Sequence, residues 1–279
     1  MKKTFIFITI FTFILLIFIN NNIVLLSTIN ATKLWFYKVF PYLFIMIIIN
    51  DCLIHLNIIK IFKNPSIYVF IMSLISGTPS SAYIIGNLYK NKSINYKTAN
   101  NLLLFSYFSN PLFLYTILNN IFFNKYITIK IILVHYLSNL IIFLFNIKQL
   151  DNSLPNCSNL KYNIAESIKK SINTNLVVLG TICFYLIISN IIITLIPTNY
   201  YISILIRGFL EITQGLNSLI NFKTPFKQVI TTVILSFGGL SIHTQVKCIL
   251  DEYQLDYKYF LKGRIIQTII ATLIILIYS

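Results

Sequence analysis

The stretch "RGFLEITQGL", Arg207 to Leu216, places a carboxylate inside an apolar run. Glu211 reads as the only acidic residue deep within such a run. An ionisable group kept in a membrane is costly enough to be a functional candidate by default. Thr213 and Gln214 add polar groups after it, and Gly215 weakens the helix. Two chemistries fit Glu211: it meets a proton, cation or substrate, or it pairs with Arg207 one turn earlier and quiets both charges. A second cluster lies in "SFGGLSIHTQV", where His243 follows Gly238-Gly239 by about a turn, with Ser241 and Gln245 beside it. Such a histidine can titrate near neutral pH and hold an anionic or hydrogen-bonding ligand, or it can satisfy a neighbouring carbonyl. His55 and His135 stand in no motif and read as structural; Asp51, at the end of an apolar segment, can meet headgroups or water. No paired carboxylates, metal-ligand cluster, GxSxG or phosphate loop occurs, so the expectation is no enzyme, no metal and no cofactor.

The elements that must position these residues are membrane helices. Hydrophobic residues make up 57% of the 279 and charged ones 10%, and mean hydropathy is +0.78. A soluble domain carries roughly 25% charge, so the expected partner is the lipid bilayer. The net charge of +15 sits on lysines scattered between apolar runs, which set topology and touch headgroups. Without a dense basic stripe, nucleic acid is not an expected partner. Cys52, Cys157, Cys183 and Cys248 lie too far apart in sequence to suggest a disulfide framework or zinc site. The opening "MKKTFIFITIFTFILLIFIN" resembles a secretory signal with no small-x-small site after it, so an uncleaved first helix is expected.

Further apolar segments fall near 34–57, 66–89, 98–122, 127–147, 171–196, 200–220, 227–249 and 257–278. They predict an all-α, polytopic helical membrane protein. Its division is residues 1–30 as an N-terminal helix and loop, 31–148 and 167–279 as two structurally related halves, and 149–166 as a polar linker. Four helices are expected to be interrupted, broken or re-entrant: at "SGTPSS" (76–81), "SNP" (109–111), "EITQG" (211–215) and "SFGGLS" (236–241). Interruptions at matching places in two halves point to a buried site near the bilayer midplane. Asn110 caps and Pro111 starts a helix; Gly77 ends one, Thr78 caps and Pro79 begins the next. Gly77, Thr78, Ser80, Ser109, Asn110, Ser236, Gly238, Gly239 and Ser241 are then expected to line one pocket for an unidentified small molecule or ion, at half-helix N-termini. If every segment crosses, lysines balance on the two sides. If the four interrupted segments turn back, Lys90, Lys92, Lys97, Lys223 and Lys227 join the cytoplasmic set and the bias becomes strong, which favours turning back.

"LISGTPSSAYIIGNLY", "LLLFSYFSNPLFLYTI", "FLEITQGLNSL" and "ILSFGGLSIHTQVKCIL", in this order, resemble the sporulation integral membrane protein YlbJ family. That family belongs to the wider group with nucleoside-recognition, or Gate, domains. The resemblance implies a permease-like protein of the mother-cell or forespore membrane, needed for spore cortex formation. A non-transporting or ligand-sensing component that assembles with other sporulation membrane proteins is the alternative. The family's first motif usually runs GYPxGAK; here Thr78, Ser81 and Tyr83 replace the aromatic residue, the second glycine and the lysine. Were that lysine an anion ligand, the chain would have lost or relocated it.

Overall fold

A computed structural model describes residues 2–56, 58–62, 64–147, 162–196 and 199–278, and secondary structure among them is entirely helical. Five helical stretches are long and apolar enough to cross a membrane, which makes this a multi-pass membrane protein. Most of the expected linker, and Cys157, lie outside the described residues.

The chain enters through α1 (Lys2–Ile19), α2 (Asn21–Leu34) and α3 (Phe40–His55), the last two joined by a π-helical turn at Trp35–Val39. Residues 21–30 are therefore helix, and only Asn20 interrupts the path where a loop is expected after α1. Their polar side chains are compatible with it: Thr28 and Thr32 hydroxyls donate to carbonyls four residues back, and Ser27 and Ala31 are buried. The partner is α9 (Ile164–Leu195), which runs antiparallel alongside. Asn190 donates to Ser27 at 2.9 Å, Trp35 to the Asn175 carbonyl at 3.0 Å and Ser171 to the Phe44 carbonyl at 2.8 Å. The Ser167 hydroxyl donates to Asp51.

Asparagine starts helix after helix. Asn64, Asn95, Asn110, Asn124, Asn163 and Asn199 precede α4 (Pro65–Ser76), α6 (Tyr96–Leu102), α7 (Pro111–Phe122), α8 (Lys125–Asn146), α9 and α10 (Tyr200–Leu210), and each side chain accepts a first-turn N–H. Such a cap contributes about 1 kcal/mol.

Two of the four interruptions are hairpin tips. The α4 helix and α5 (Ser80–Lys90) are joined at Gly77–Pro79; α10 and α11 (Ile212–Ser218) are joined at Glu211. In the second hairpin the return is explicit: the Tyr200 hydroxyl, at its start, donates to the Ser218 carbonyl at 2.7 Å. Gly208 and Gly215 bring the two backbones together so closely that a Cβ on Gly215 would overlap Gly208. At 11 residues, α10 spans roughly 17 Å, about half the hydrocarbon core. The first hairpin likewise returns to its own end: Tyr83 and Asn87 donate to Asp51 near the end of α3.

The other two interruptions break complete crossings, which corrects the expectation that all four turn back. The path through α6, residues 103–110 and α7 starts where Asn100 accepts from the Asp256 N–H at 2.9 Å. It finishes where the Ile121 carbonyl accepts from Lys227 at 2.9 Å, and Lys227 also reaches the Ile220 carbonyl at 3.0 Å. From there α12 (Lys227–Phe237) and α13 (Gly239–Glu252) return to Tyr253, whose hydroxyl donates to Asn87 at 2.9 Å. Length decides it: 26 residues of nearly continuous helix reach roughly 39 Å, more than the core requires. Helix α14 (Tyr257–Tyr278) then crosses back, and Lys130 of α8 donates to its terminal carbonyl at Tyr278. Lys92 and Lys223, expected on one side, thus lie at opposite ends. The halves repeat one plan (long helix, hairpin, broken crossing, long helix) with the two hairpins entering from opposite ends, the arrangement of inverted repeats.

Candidate binding site where the helix breaks meet

Backbone groups freed within a bilayer need protein partners, and residues 103–110 have them. The Leu104 carbonyl accepts from Arg264 at 3.3 Å, the Tyr107 carbonyl from Asn139, and the Ser109 carbonyl from the Tyr136 hydroxyl at 3.1 Å. Ser109 N–H donates to His135 Nε2 at 3.3 Å. The Phe108 carbonyl accepts from Thr78 N–H at 2.8 Å, which fastens the first hairpin tip to the second break. His135 is thereby structural. Arg264, fully buried with its guanidinium 4.3 Å from the Tyr107 ring centre, has the same task. Sequence reasoning does not single out Arg264, because the Leu104 carbonyl and the Tyr107 ring that define its task lie far away along the chain.

The helix starts follow from local chemistry, with one exception. Asn110 Oδ1 accepts from Leu112 N–H at 2.9 Å and Phe113 N–H at 3.3 Å, with Pro111 in the first helical position. Glu211 caps α11 in the same way, taking Gln214 N–H at 2.8 Å and the Thr213 hydroxyl on its Oε2. Thr78 does not cap: α5 begins at Ser80, after Pro79, and no side chain caps it. At the fourth break Gly238 and Gly239 take φ of 91° and 72°, the left-handed region open to glycine. A Cβ on Gly238 would also come within 2.6 Å of the Tyr107 hydroxyl.

All four breaks contribute to one cavity of about 110 Å³. Ser76, Thr78 and Pro79 come from the first hairpin, Ser109 and Asn110 from the second break, Glu211 and Thr213 from the second hairpin tip, and Ser241 and Gln245 from α13. Leu34, Lys38, Val39, Tyr42 and Leu43, with Phe113, Ile212, Ile242, and Val178 and Ile182 of α9, complete the wall. A larger cavity of about 420 Å³ adjoins it through Leu34, Lys38 and Thr213, and adds Asn30, Lys33, Tyr37, Leu186, Asn190, Gln214 and Asn217.

Several expected site residues sit elsewhere. Gly77, Gly238 and Gly239 shape the breaks, and Pro111 opens α7, without facing the cavity; Gln214 faces the larger one. Ser80 turns away to accept from Asn50 at 2.9 Å, and Ser236 is buried outside the lining. His243 is spent between the Tyr257 hydroxyl at 2.6 Å and the Phe237 carbonyl at 3.0 Å. The Arg207–Glu211 pair is not formed. Glu211 lies past the end of α10 in extended backbone, so the i,i+4 geometry of a continuous helix is lost, and Arg207 instead donates to Ser218 at 3.2 Å. Asp51 meets neither headgroup nor water; it is 2% exposed and enclosed by Tyr83, Asn87 and Ser167. Tyr83 therefore faces Asp51 and not the cavity, so its replacement of the family's lysine takes no cation out of the site. Sequence reasoning misses Ser76 and above all Lys38. The signal for Lys38 is a lone lysine in an apolar stretch, obscured by reading that stretch as starting at residue 34.

No family model matches the chain, and no solved structure matches it. A search of curated proteins finds sporulation integral membrane protein YlbJ of Bacillus subtilis (strain 168), 24% identical across 89% of this chain and 76% of that protein. With its four motifs in order on four breaks, the chain resembles the YlbJ sporulation integral membrane proteins along nearly its whole length.

Proposed function

We propose that this chain is a sporulation-associated, permease-like membrane protein, acting in the mother-cell or forespore membrane and needed for spore cortex formation. Binding and passage of a small solute, not catalysis, is its chemistry. The observation that carries this reading is the convergence of two hairpin tips and two broken crossings on a single cavity, whose mostly apolar wall carries a few polar groups from every break. Such irregular backbone is tolerated at membrane depth only where it is buried in protein or lines a water-filled space, and it is where inverted-repeat transporters hold their solute. The nucleoside implied by the Gate group's name finds no support in the cavity's size. A void of roughly 150 Å³ accepts benzene, so a nucleoside exceeds the 110 Å³ here and would have to extend into the adjoining 420 Å³ space. The test joins two measurements in a spore-forming host lacking its own copy. With Cys52, Cys157, Cys183 and Cys248 replaced by serine, the Thr78→Cys variant is expected to react with a small water-soluble thiol reagent in intact membranes, and Asn110→Leu to lose complementation of sporulation at normal protein abundance. A Thr78→Cys variant that stays unlabelled, or full complementation by Asn110→Leu, overturns the midplane site. In that event the sporulation complex component, which needs no wet cavity, is the better reading.

A further inference from the structure

Asp51 is a buried carboxylate one turn before α3 ends at His55, and it lies outside the cavity lining. Among the described residues it belongs to no ion pair. Neutral donors surround it instead: the Tyr83 hydroxyl at 3.3 Å and Asn87 Nδ2 at 3.4 Å on Oδ1, and the Ser167 hydroxyl on Oδ2. The Asn87 amide is held in this orientation, because its Oδ1 accepts from the Tyr253 hydroxyl at 2.9 Å and the Tyr253 ring packs against Gly86. The other titratable groups at this end are engaged elsewhere. His55 donates Nδ1–H to the Asp51 main-chain carbonyl at 2.7 Å, and Glu166 pairs with Lys170 at 2.9 Å. Lys90 ends α5 and Glu252 ends α13, and neither pairs with Asp51.

These surroundings satisfy the carboxyl in both of its protonation states. Ionised Asp51 accepts from all three donors, and those bonds are charge-assisted. A proton added to Oδ2 donates to the Ser167 oxygen, whose own hydroxyl then turns to the Asn163 carbonyl, 3.3 Å away. Oδ1 keeps only neutral bonds to Tyr83 and Asn87, roughly half as strong. Both of those residues belong to α5, which starts directly after Thr78 and Pro79 in the cavity wall. The second hairpin has no counterpart: the bonds across its base, from Tyr200 and Arg207 to Ser218, involve no carboxylate. Building on the midplane-site reading above, we propose that Asp51 is a proton-binding site that latches the first hairpin. The ionised carboxylate holds α5 against α3; proton uptake from the end of the molecule that carries His55 and Lys90 loosens that hold and opens the cavity at Thr78 and Pro79.

The test uses the full chain in lipid nanodiscs, with its four cysteines replaced by serine and Thr78→Cys added. Labelling by a water-soluble maleimide is followed from about pH 8 to about pH 5. Each rate is divided by that of glutathione at the same pH, so that thiol ionisation cancels. The ratio is expected to rise at least about threefold on acidification. Asp51→Asn keeps the shape and removes the charge, and is expected to show the acid ratio at every pH. Tyr83→Phe removes one donor to the ionised form, and should move the rise to higher pH by about half a unit or more. An infrared difference spectrum between the two pH limits is expected to contain a protonated-carboxyl band that Asp51→Asn lacks. A ratio that does not change with pH, a rise that persists in Asp51→Asn, or an infrared band equal in both proteins overturns the proposal and leaves the midplane site standing. No labelling at any pH overturns the midplane site and the latch together. Should Asp51→Asn fail to accumulate, an unmoved rise in Tyr83→Phe overturns the latch by itself.

Discussion

Glu211 does two jobs: its Oε2 fixes the start of α11 and its side chain lines the cavity. Glu211→Gln keeps an acceptor for the Gln214 N–H, so abundance and melting temperature are expected to hold while sporulation is lost. Glu211→Ala removes the cap as well, and should cost about 1 kcal/mol more in stability. Because the Arg207 guanidinium bonds Ser218 and not the Glu211 carboxylate, melting-temperature changes of Arg207→Gln and Glu211→Gln should add. A double mutant that recovers the stability of the parent would reinstate the pair. At this scale the sequence is informative wherever chemistry is local. Asn110-Pro111 announces its own cap, and Glu211 announces its burial. It is silent where a residue's role is set by a distant element. His243, Ser80 and Asp51 cannot be placed before knowing that Tyr257, Asn50 and Tyr83 stand opposite them, and Lys38 cannot be read as a cavity residue before α2 and α3 are seen as one path.

Among elements, the four interruptions are legible, but not which of them turn back. Glycine and proline mark a break; whether the chain reverses depends on the lengths on either side and on what packs there. Gly208 and Gly215 let α10 and α11 meet backbone to backbone, so Gly215→Ala is expected to force the hairpin open and lower the melting temperature by several degrees. An unchanged melting curve would mean the hairpin has slack. Counting lysines misleads for a related reason. Lys227 and Lys130 act as terminal caps on the carbonyls of Ile121, Ile220 and Tyr278, so their charges are engaged in structure and do not report sidedness. The end carrying Lys90, Lys92, Lys97, Lys170, Lys258 and Lys262 is then cytoplasmic by the positive-inside rule. Cysteines introduced singly at positions 92 and 223, with the four native cysteines replaced by serine, should consequently label from opposite faces, the one at 223 from outside. Labelling of both from one face would contradict the two complete but broken crossings.

For the whole molecule, hydropathy and motif order make the all-helical class and the two-part plan readable, while the inversion of one half relative to the other emerges only from contacts between them. Those contacts have a mechanical consequence. At one end Lys227 holds carbonyls of both halves, and Lys130 ties α8 to α14. At the other end Asn87 holds Tyr253 and Asn100 holds Asp256. Rocking the two blocks about a central fulcrum would break bonds at both ends, so the short hairpins are the cheaper moving parts for any exchange of access between the two faces. Locking the frame should therefore be harmless: an Asn100→Cys, Asp256→Cys crosslink is expected to leave complementation intact. A lock that abolishes function would mean that the frame itself moves.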